Sequence, residues 1–255
     1  MASNKRFQGT LHKVSGPLNR DVRHERQKMS DKPIIAPPWA TGPGEILRHG
    51  LELLKSDSDT NRRLAMIAID NAVELTLKTY LGLPKRITGL EISRKEYDDF
   101  SDSFPRLLDA TEKHVAIKIT GIELGDIEWY HRLRNQLYHQ GNGLTVEKQK
   151  VSAYAELANL LFERLFGVSL LDPAESASRY FGEFLKDWIR LEATLSAHRF
   201  KPGQNILPLD VENDINGFRG IRNKLVHGMF DPEDVLSPEF LSRFRDLIQR
   251  IERKQ

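Results

Sequence analysis

Arg134 and His139 stand five residues apart in the run Arg134-Asn135-Gln136-Leu137-Tyr138-His139, and the pattern returns as Arg222-Asn223-Lys224-Leu225-Val226-His227. A histidine titrates near neutral pH, so it can take or give a proton in a reaction at cellular pH. An arginine is always charged and offers a planar fork of donors suited to phosphate oxygens. Together they form a minimal kit for cleaving a phosphodiester. The imidazole deprotonates a ribose 2′-hydroxyl or protonates the leaving 5′-oxygen, and the guanidinium stabilises charge building on phosphorus. A 2′-hydroxyl nucleophile needs no metal, so the substrate of such a kit is RNA.

The two copies lie 88 residues apart and share more than the motif. Asp126-Ile127 sits eight residues before Arg134, Asp214-Ile215 sits eight before Arg222, and Gly141 and Gly228 follow closely. Self-similarity at a fixed offset points to two related units. An Arg and a His five apart are separated by about 140° around a helix, so both reach one group only where the helix ends. The glycines place such an end there. Asn135 and His139, four apart, share a face, as do Asn223 and His227, so the amide is expected to orient the imidazole or contact a phosphate. Each copy alone has a plain explanation: a His suits a helix C-terminus and an Asn suits a cap. Coincidence does not readily give the same six-residue pattern twice in one register, although duplication also copies residues with a purely structural role.

The elements that must position these residues read as helices. Met66, Ile69, Val73, Leu77 and Leu81 recur at three or four residues, and Gly82 and Pro84 stop that helix. Helical structure is expected to begin after Thr41-Gly42-Pro43-Gly44. Residues 85–97 read as loop, and a short helix is expected over Phe104–His114. The first motif lies in a helix over Asp126–Gln140 ended by Gly141-Asn142-Gly143. Thr145 is expected to cap the next helix, closed by Gly167. Asp172-Pro173-Ala174-Glu175 has the spacing of a helix start. Residues 200–209 read as loop, a helix from about Val211 carries the second motif, and Ser237-Pro238-Glu239 opens the last helix. No stretch alternates like a strand. The fold class is all-α: two helical bundles in tandem, over 41–168 and 172–255, paired across a pseudo-twofold and preceded by a basic, disordered tail over 1–40.

Composition sets the outer bounds. Hydrophobic residues make up 39% of the 255 and charged residues 29%, and there is no cysteine. Disulfides, thiolate metal sites and cysteine nucleophiles are thereby excluded. The N-terminus lacks the apolar core of a secretory signal and no run is long enough to span a bilayer, so the expected location is the cytoplasm, away from membranes. Net charge is +2, yet residues 1–40 carry eight Lys or Arg against three acids. Such a tail can attract a polyanion, but a solvated arm is the commoner case.

The paired motifs resemble the HEPN superfamily (higher eukaryotes and prokaryotes nucleotide-binding domains), whose signature is Arg, four to six residues, then His near a helix end, with a polar residue often after the Arg. The resemblance covers roughly residues 41–168, and in 172–255 mainly the motif and its flanking helices. It implies a metal-independent endoribonuclease without cofactor, leaving 2′,3′-cyclic phosphate and 5′-hydroxyl ends. Arg134, His139, Arg222 and His227 then match the catalytic pairs, and Asn135 and Asn223 match the polar position. The implied partners are RNA (tRNA or single-stranded), an antitoxin or regulatory protein in a toxin–antitoxin or antiviral setting, and a second copy of the chain.

Two other readings compete with cleavage: a module that binds RNA or nucleotide without turnover, and a scaffold whose motifs hold two bundles together. Phosphate-loop, zinc-protease and nucleophile-elbow motifs are absent from the sequence. Asp70 and Glu74, one turn apart, could hold a metal or position a base, but a solvated or salt-bridged helix face is the favoured reading. Tyr138 is the better candidate to stack on a base, although Val226 at the matching place argues for packing, and Trp129 and Tyr130 are expected in the core. His49, His114, His131 and His198 are expected at surface or packing positions; His131, three before Arg134, is close enough to lie near the site but has no partner in the second copy.

Overall fold

Ser58 accepts a hydrogen bond from the Asn61 backbone N–H and thereby opens the longest helix among the described residues. The structure is a computed structural model and describes residues 37–139, 145–171, 179–199 and 207–253. After a 3-10 turn at Pro38–Ala40 the helices are α1 Thr41–Lys55, α2 Asp59–Gly82, α3 Lys85–Thr88, α4 Arg94–Ser101, α5 Phe104–Val115, α6 Leu124–His139, α7 Lys148–Phe166, α8 Arg179–Arg199, α9 Leu209–Val226, α10 Pro232–Val235 and α11 Pro238–Glu252. No strand occurs among the described residues, and the all-α class holds. The basic tail through residue 36, Gly141-Asn142-Gly143, the helix start at Asp172–Glu175 and most of the 200–209 loop lie outside the described residues.

Helix α7 is the centre. From Ala153 to Phe162 every residue is buried, charged and polar ones included. A helix buried all round is walled in on every side. Its neighbours are α1, α2 and α6 on the first-half side, and α8 and α9 from the second half. Ala153, Ala155 and Ala158 keep parts of its surface thin. Ala36–Gln255 accordingly cluster as one compact unit, and contacts cross the expected boundary near residue 170.

The two halves have different interiors. Around α7 the first half packs aliphatic residues from α1 and α2, among them Leu47, Met66, Ile69, Val73 and Leu77, all 1% exposed or less. Each such side chain contributes roughly 1.5–3 kcal/mol by leaving water. The second half packs aromatic rings: Phe184 and Trp188 of α8 against Phe244 of α11, with Phe218 of α9 in contact. Ion pairs from Arg245 to Glu183 and Asp187 lie beside this core.

Three local expectations are corrected. The stretch 85–97 is not all loop: Ser93 accepts from Glu96 N–H and starts α4, a helix short and polar enough to hide its period. Helix α1 begins at Thr41, so Gly42-Pro43-Gly44 belong to its first turns. Thr145 does not cap α7. The Val146 carbonyl accepts from Arg62 Nε at 3.0 Å, the chain stays extended through Glu147, and the helix starts at Lys148.

Candidate functional site

Helix α6 carries the first motif at its C-terminal end and presents Asp126, Tyr130 and Arg134 along one face, each one turn from the next. Asp126 and Tyr130 are buried there, and Arg134 is half-buried. Two clusters form along this line.

The first cluster is centred on Asp70 of α2, which is fully buried. Its Oδ1 accepts the Tyr154 hydroxyl at 2.8 Å. Its Oδ2 lies 2.9 Å from His131 Nδ1 and 3.1 Å from Arg134 Nε. An ionised carboxylate only accepts, so His131 Nδ1 donates to Asp70 and Nε2 is the ring nitrogen left for another partner. Phe104 lies flat on that ring, centroids 3.8 Å apart. Arg134 also donates to Asn71 Oδ1 and, at 2.9 Å, to Asn135 Oδ1. Two of its five N–H groups thus donate to protein oxygens; Nε lies against Asp70 as an ion pair without a hydrogen bond, and one N–H on each terminal nitrogen has no partner among the described residues. Its side chain is 18% exposed.

The second cluster is centred on Asp126. Arg222 Nη1 approaches its Oδ2 at 2.5 Å, and His227 Nε2 lies 3.2 Å from its Oδ1. Trp129 stands edge-on to the His227 ring, centroids 4.8 Å apart. Arg222 is 2% exposed, and its buried Nε has no hydrogen-bond partner among the described residues. Its Nη1 also faces Asn223 Oδ1 at 3.2 Å. In both copies the Asn oxygen therefore accepts a hydrogen bond from its own neighbouring arginine, where the shared-face argument expected the amide to orient the imidazole or contact a phosphate. Asn135 is half-buried and Asn223 exposed.

Gly228 seats the second motif. It ends α9 at φ 63°, and a Cβ there would fall 2.9 Å from the Lys150 backbone nitrogen, in the first turn of α7. The closing glycine thus supplies both a left-handed turn and a close approach.

A tyrosine stack joins the clusters. Tyr130 and Tyr154 lie face to face, centroids 4.3 Å apart and planes at 9°. Tyr154 donates to Asp70, and Tyr130 donates to the Val226 carbonyl at the end of the second motif. Burial, with the Asp70 charge beside it, pushes the Tyr154 hydroxyl well above its ordinary pKa; burial and then Asp126 do the same to Tyr130. Both stay neutral donors at any physiological pH.

The structure brings Arg134, Asn135 and Tyr138 together, with the guanidinium 5.7 Å from the Tyr138 ring centre. Tyr138 is 63% exposed and sits edge-on to His139, itself exposed. It brings Arg222, Asn223 and His227 together around Asp126. It does not bring the motif histidines together. His227 is anchored at Asp126 and Trp129, ten to thirteen residues before His139 on α6, which is about 15–20 Å of helix axis.

Several residues here were not legible as site members. Asp70 is neither solvated nor paired with Glu74, which bonds Lys78 instead. Its partners are 61, 64 and 84 residues away in sequence. His131, expected at a surface or packing position but close enough to Arg134 to lie near the site, is held between Asp70 and Phe104. The upstream aspartates also part ways. Asp126 serves the Arg of the other copy, while Asp214 is exposed and lies 3.5 Å from Arg250. His114 pairs with Glu96, and the His198 side chain lies outside the described residues. Among the described residues no three His, Asp or Glu side chains converge as metal ligands, and no helix is long and apolar enough to cross a membrane. Compared with known protein families, with curated proteins and with solved structures, the chain has no match.

Proposed function

We propose that the protein is an endoribonuclease that cleaves RNA by attack of the 2′-hydroxyl, leaving a 2′,3′-cyclic phosphate and a 5′-hydroxyl. One observation supports this most. The Arg-Asn-x-Leu-x-His motif stands twice at a helix C-terminus, each time with its Arg held by a buried carboxylate and by its own Asn. A guanidinium fixed in this way is oriented before any ligand arrives. Arg134, with one N–H on each terminal nitrogen unpartnered among the described residues, is the phosphate contact. His139 at the open end of α6 takes part in proton transfer, with Tyr138 as a platform for a base. In the second half His227 is the imidazole. Arg222, sealed from solvent, acts by fixing Asp126 against it.

The test is cleavage of a mixed pool of tRNA and single-stranded RNA in excess EDTA. The expected result is cutting by wild type and loss of cutting in the double variant His139→Ala with His227→Ala. Equal cutting by both would defeat the proposal.

A second reading, a module that binds RNA or nucleotide without turnover, has its own support. Arg222 is consumed by its ion pair, and the motif histidines are too far apart to act on one phosphate. Salt-sensitive RNA binding with no cleavage under any condition would move the assignment there.

A further inference from the structure

The repeat in the sequence pairs His139 with His227, but the repeat in space pairs His131 with His227. In each cluster one buried aspartate holds one arginine and one imidazole: Asp126 with Arg222 and His227, Asp70 with Arg134 and His131. The histidine of the first cluster comes from three residues before the Arg, that of the second from five after. Each ring also rests on an aromatic neighbour, Phe104 or Trp129. His139 has no carboxylate partner among the described residues. We infer that His131 is a proton-transfer residue of the first-half site and the functional counterpart of His227. The inference rests on the ribonuclease reading and adds a histidine to it.

The geometry favours this role over plain packing. His131 Nδ1 and Arg134 Nε approach the same oxygen of Asp70, at 2.9 and 3.1 Å, so these two nitrogens are at most 6.0 Å apart. The pair can therefore serve one phosphate and its adjacent ribose. With Nδ1–H committed to Asp70, the outward nitrogen is Nε2, which has no hydrogen-bond partner among the described residues. The ring is 15% exposed and fixed by Phe104, so it can be reached without being free to turn. A base oriented by a carboxylate in this way keeps one tautomer and is stabilised as the imidazolium when it takes a proton. In the reaction Nε2 takes the 2′-hydroxyl proton and the 2′-oxygen bonds to phosphorus. The bond from phosphorus to the 5′-oxygen breaks, and that oxygen takes a proton from water.

The experiment compares wild type, His131→Gln and His139→Ala in EDTA, on RNA that wild type cuts, with RNA affinity and melting temperature measured beside the rate. Gln can still donate to Asp70 but cannot accept and pass on a proton. The expected result is a rate at least about 100-fold lower in His131→Gln, the scale of a lost general base, with affinity within threefold of wild type. His131→Gln cutting within threefold of wild type overturns the inference and leaves the ribonuclease reading standing. A wild type that cuts no RNA overturns both. If His131→Gln does not fold, wild type is treated with diethyl pyrocarbonate and its modified histidines are mapped. Loss of activity that tracks His131 and is prevented by bound RNA supports the role. Loss of activity with His131 unmodified overturns it.

Discussion

Tyr154 lies flat against Tyr130 while their hydroxyls point to different halves of the molecule, one to Asp70 and the other to the Val226 carbonyl. The stack is the physical join between the two motif clusters. It links α6 to α7, and buried residues of both helices face the second half.

That burial sets a test in alkali. Both hydroxyls are held well above their ordinary pKa by burial, with the neighbouring aspartates adding to it. A raised folded-state pKa gives stability that is fully present below the unfolded value, about 10, and is lost as pH rises through the folded value. Of the six tyrosines in the chain, Tyr130 and Tyr154 should ionise only as the protein unfolds. Phenolate absorbance followed beside circular dichroism checks this; smooth titration of all six with the fold intact would count against the buried stack.

Acid acts at the other end of the molecule. Arg245 holds the Glu183 carboxyl below its ordinary value, with burial opposing and Arg179 assisting. A lowered folded-state pKa gives stability that is present above the unfolded value, about 4.3, and is lost as pH falls through the folded value. Arg245→Ala should therefore lower the urea midpoint at pH 7, and the gap from wild type should narrow as pH falls below the unfolded value and through the folded one. A gap of constant size would mean that the arginine contributes through packing rather than charge.

Local chemistry explains which features could be read from the chain alone. The apolar face of α2 and the Ser237 cap of α11 each occupy a few consecutive turns, so period and cap spacing reveal them. The paired motifs are legible for a different reason, since a repeat needs no knowledge of folding. Asp70 is hidden because its meaning depends on α6 and α7 arriving beside it from 61 to 84 residues away. The nearness of His131 to Arg134 is legible, but its role is discounted because comparing copies finds what was duplicated, and the second copy has no counterpart at that position. Convergence of unlike positions on one carboxylate appears only when the helices are packed. Helix α4 escapes because eight charge-rich residues give too little periodicity to see.

Gly228 is a narrow point for the second motif. Any side chain there must accept φ 63° and displace the first turn of α7, whose Lys150 nitrogen would be 2.9 Å from the new Cβ. Left-handed backbone costs about 1–2 kcal/mol for a residue other than glycine, and overpacking about 1–3 more. Gly228→Ala should thus lose roughly 2–5 kcal/mol in urea unfolding. Gly217→Ala on the same helix meets no atom within 4 Å and should be neutral or better, since alanine favours a helix. Equal stability of the two variants would mean that α9 does not seat on α7 through this glycine.

Arg222 and Asp126 can be separated from the chemistry they flank. Removing one partner of a buried ion pair strands the other charge, which costs about 3–5 kcal/mol, whereas replacing both by apolar groups of similar size is often neutral or stabilising. Arg222→Met and Asp126→Leu should each be strongly destabilised at neutral pH, and the double variant should recover most of the loss. The double variant also leaves His227 without its carboxylate. If Asp126 matters only as a partner for Arg222, RNA cleavage at saturating substrate should recover along with stability. If it orients His227, the double variant should be stable and slow, with the defect in turnover rather than in RNA affinity. Unfolding midpoints and single-turnover rates on the four proteins of this cycle decide between the two. A double variant as unstable as the single ones would show that the pair is embedded in more of the core than its immediate contacts.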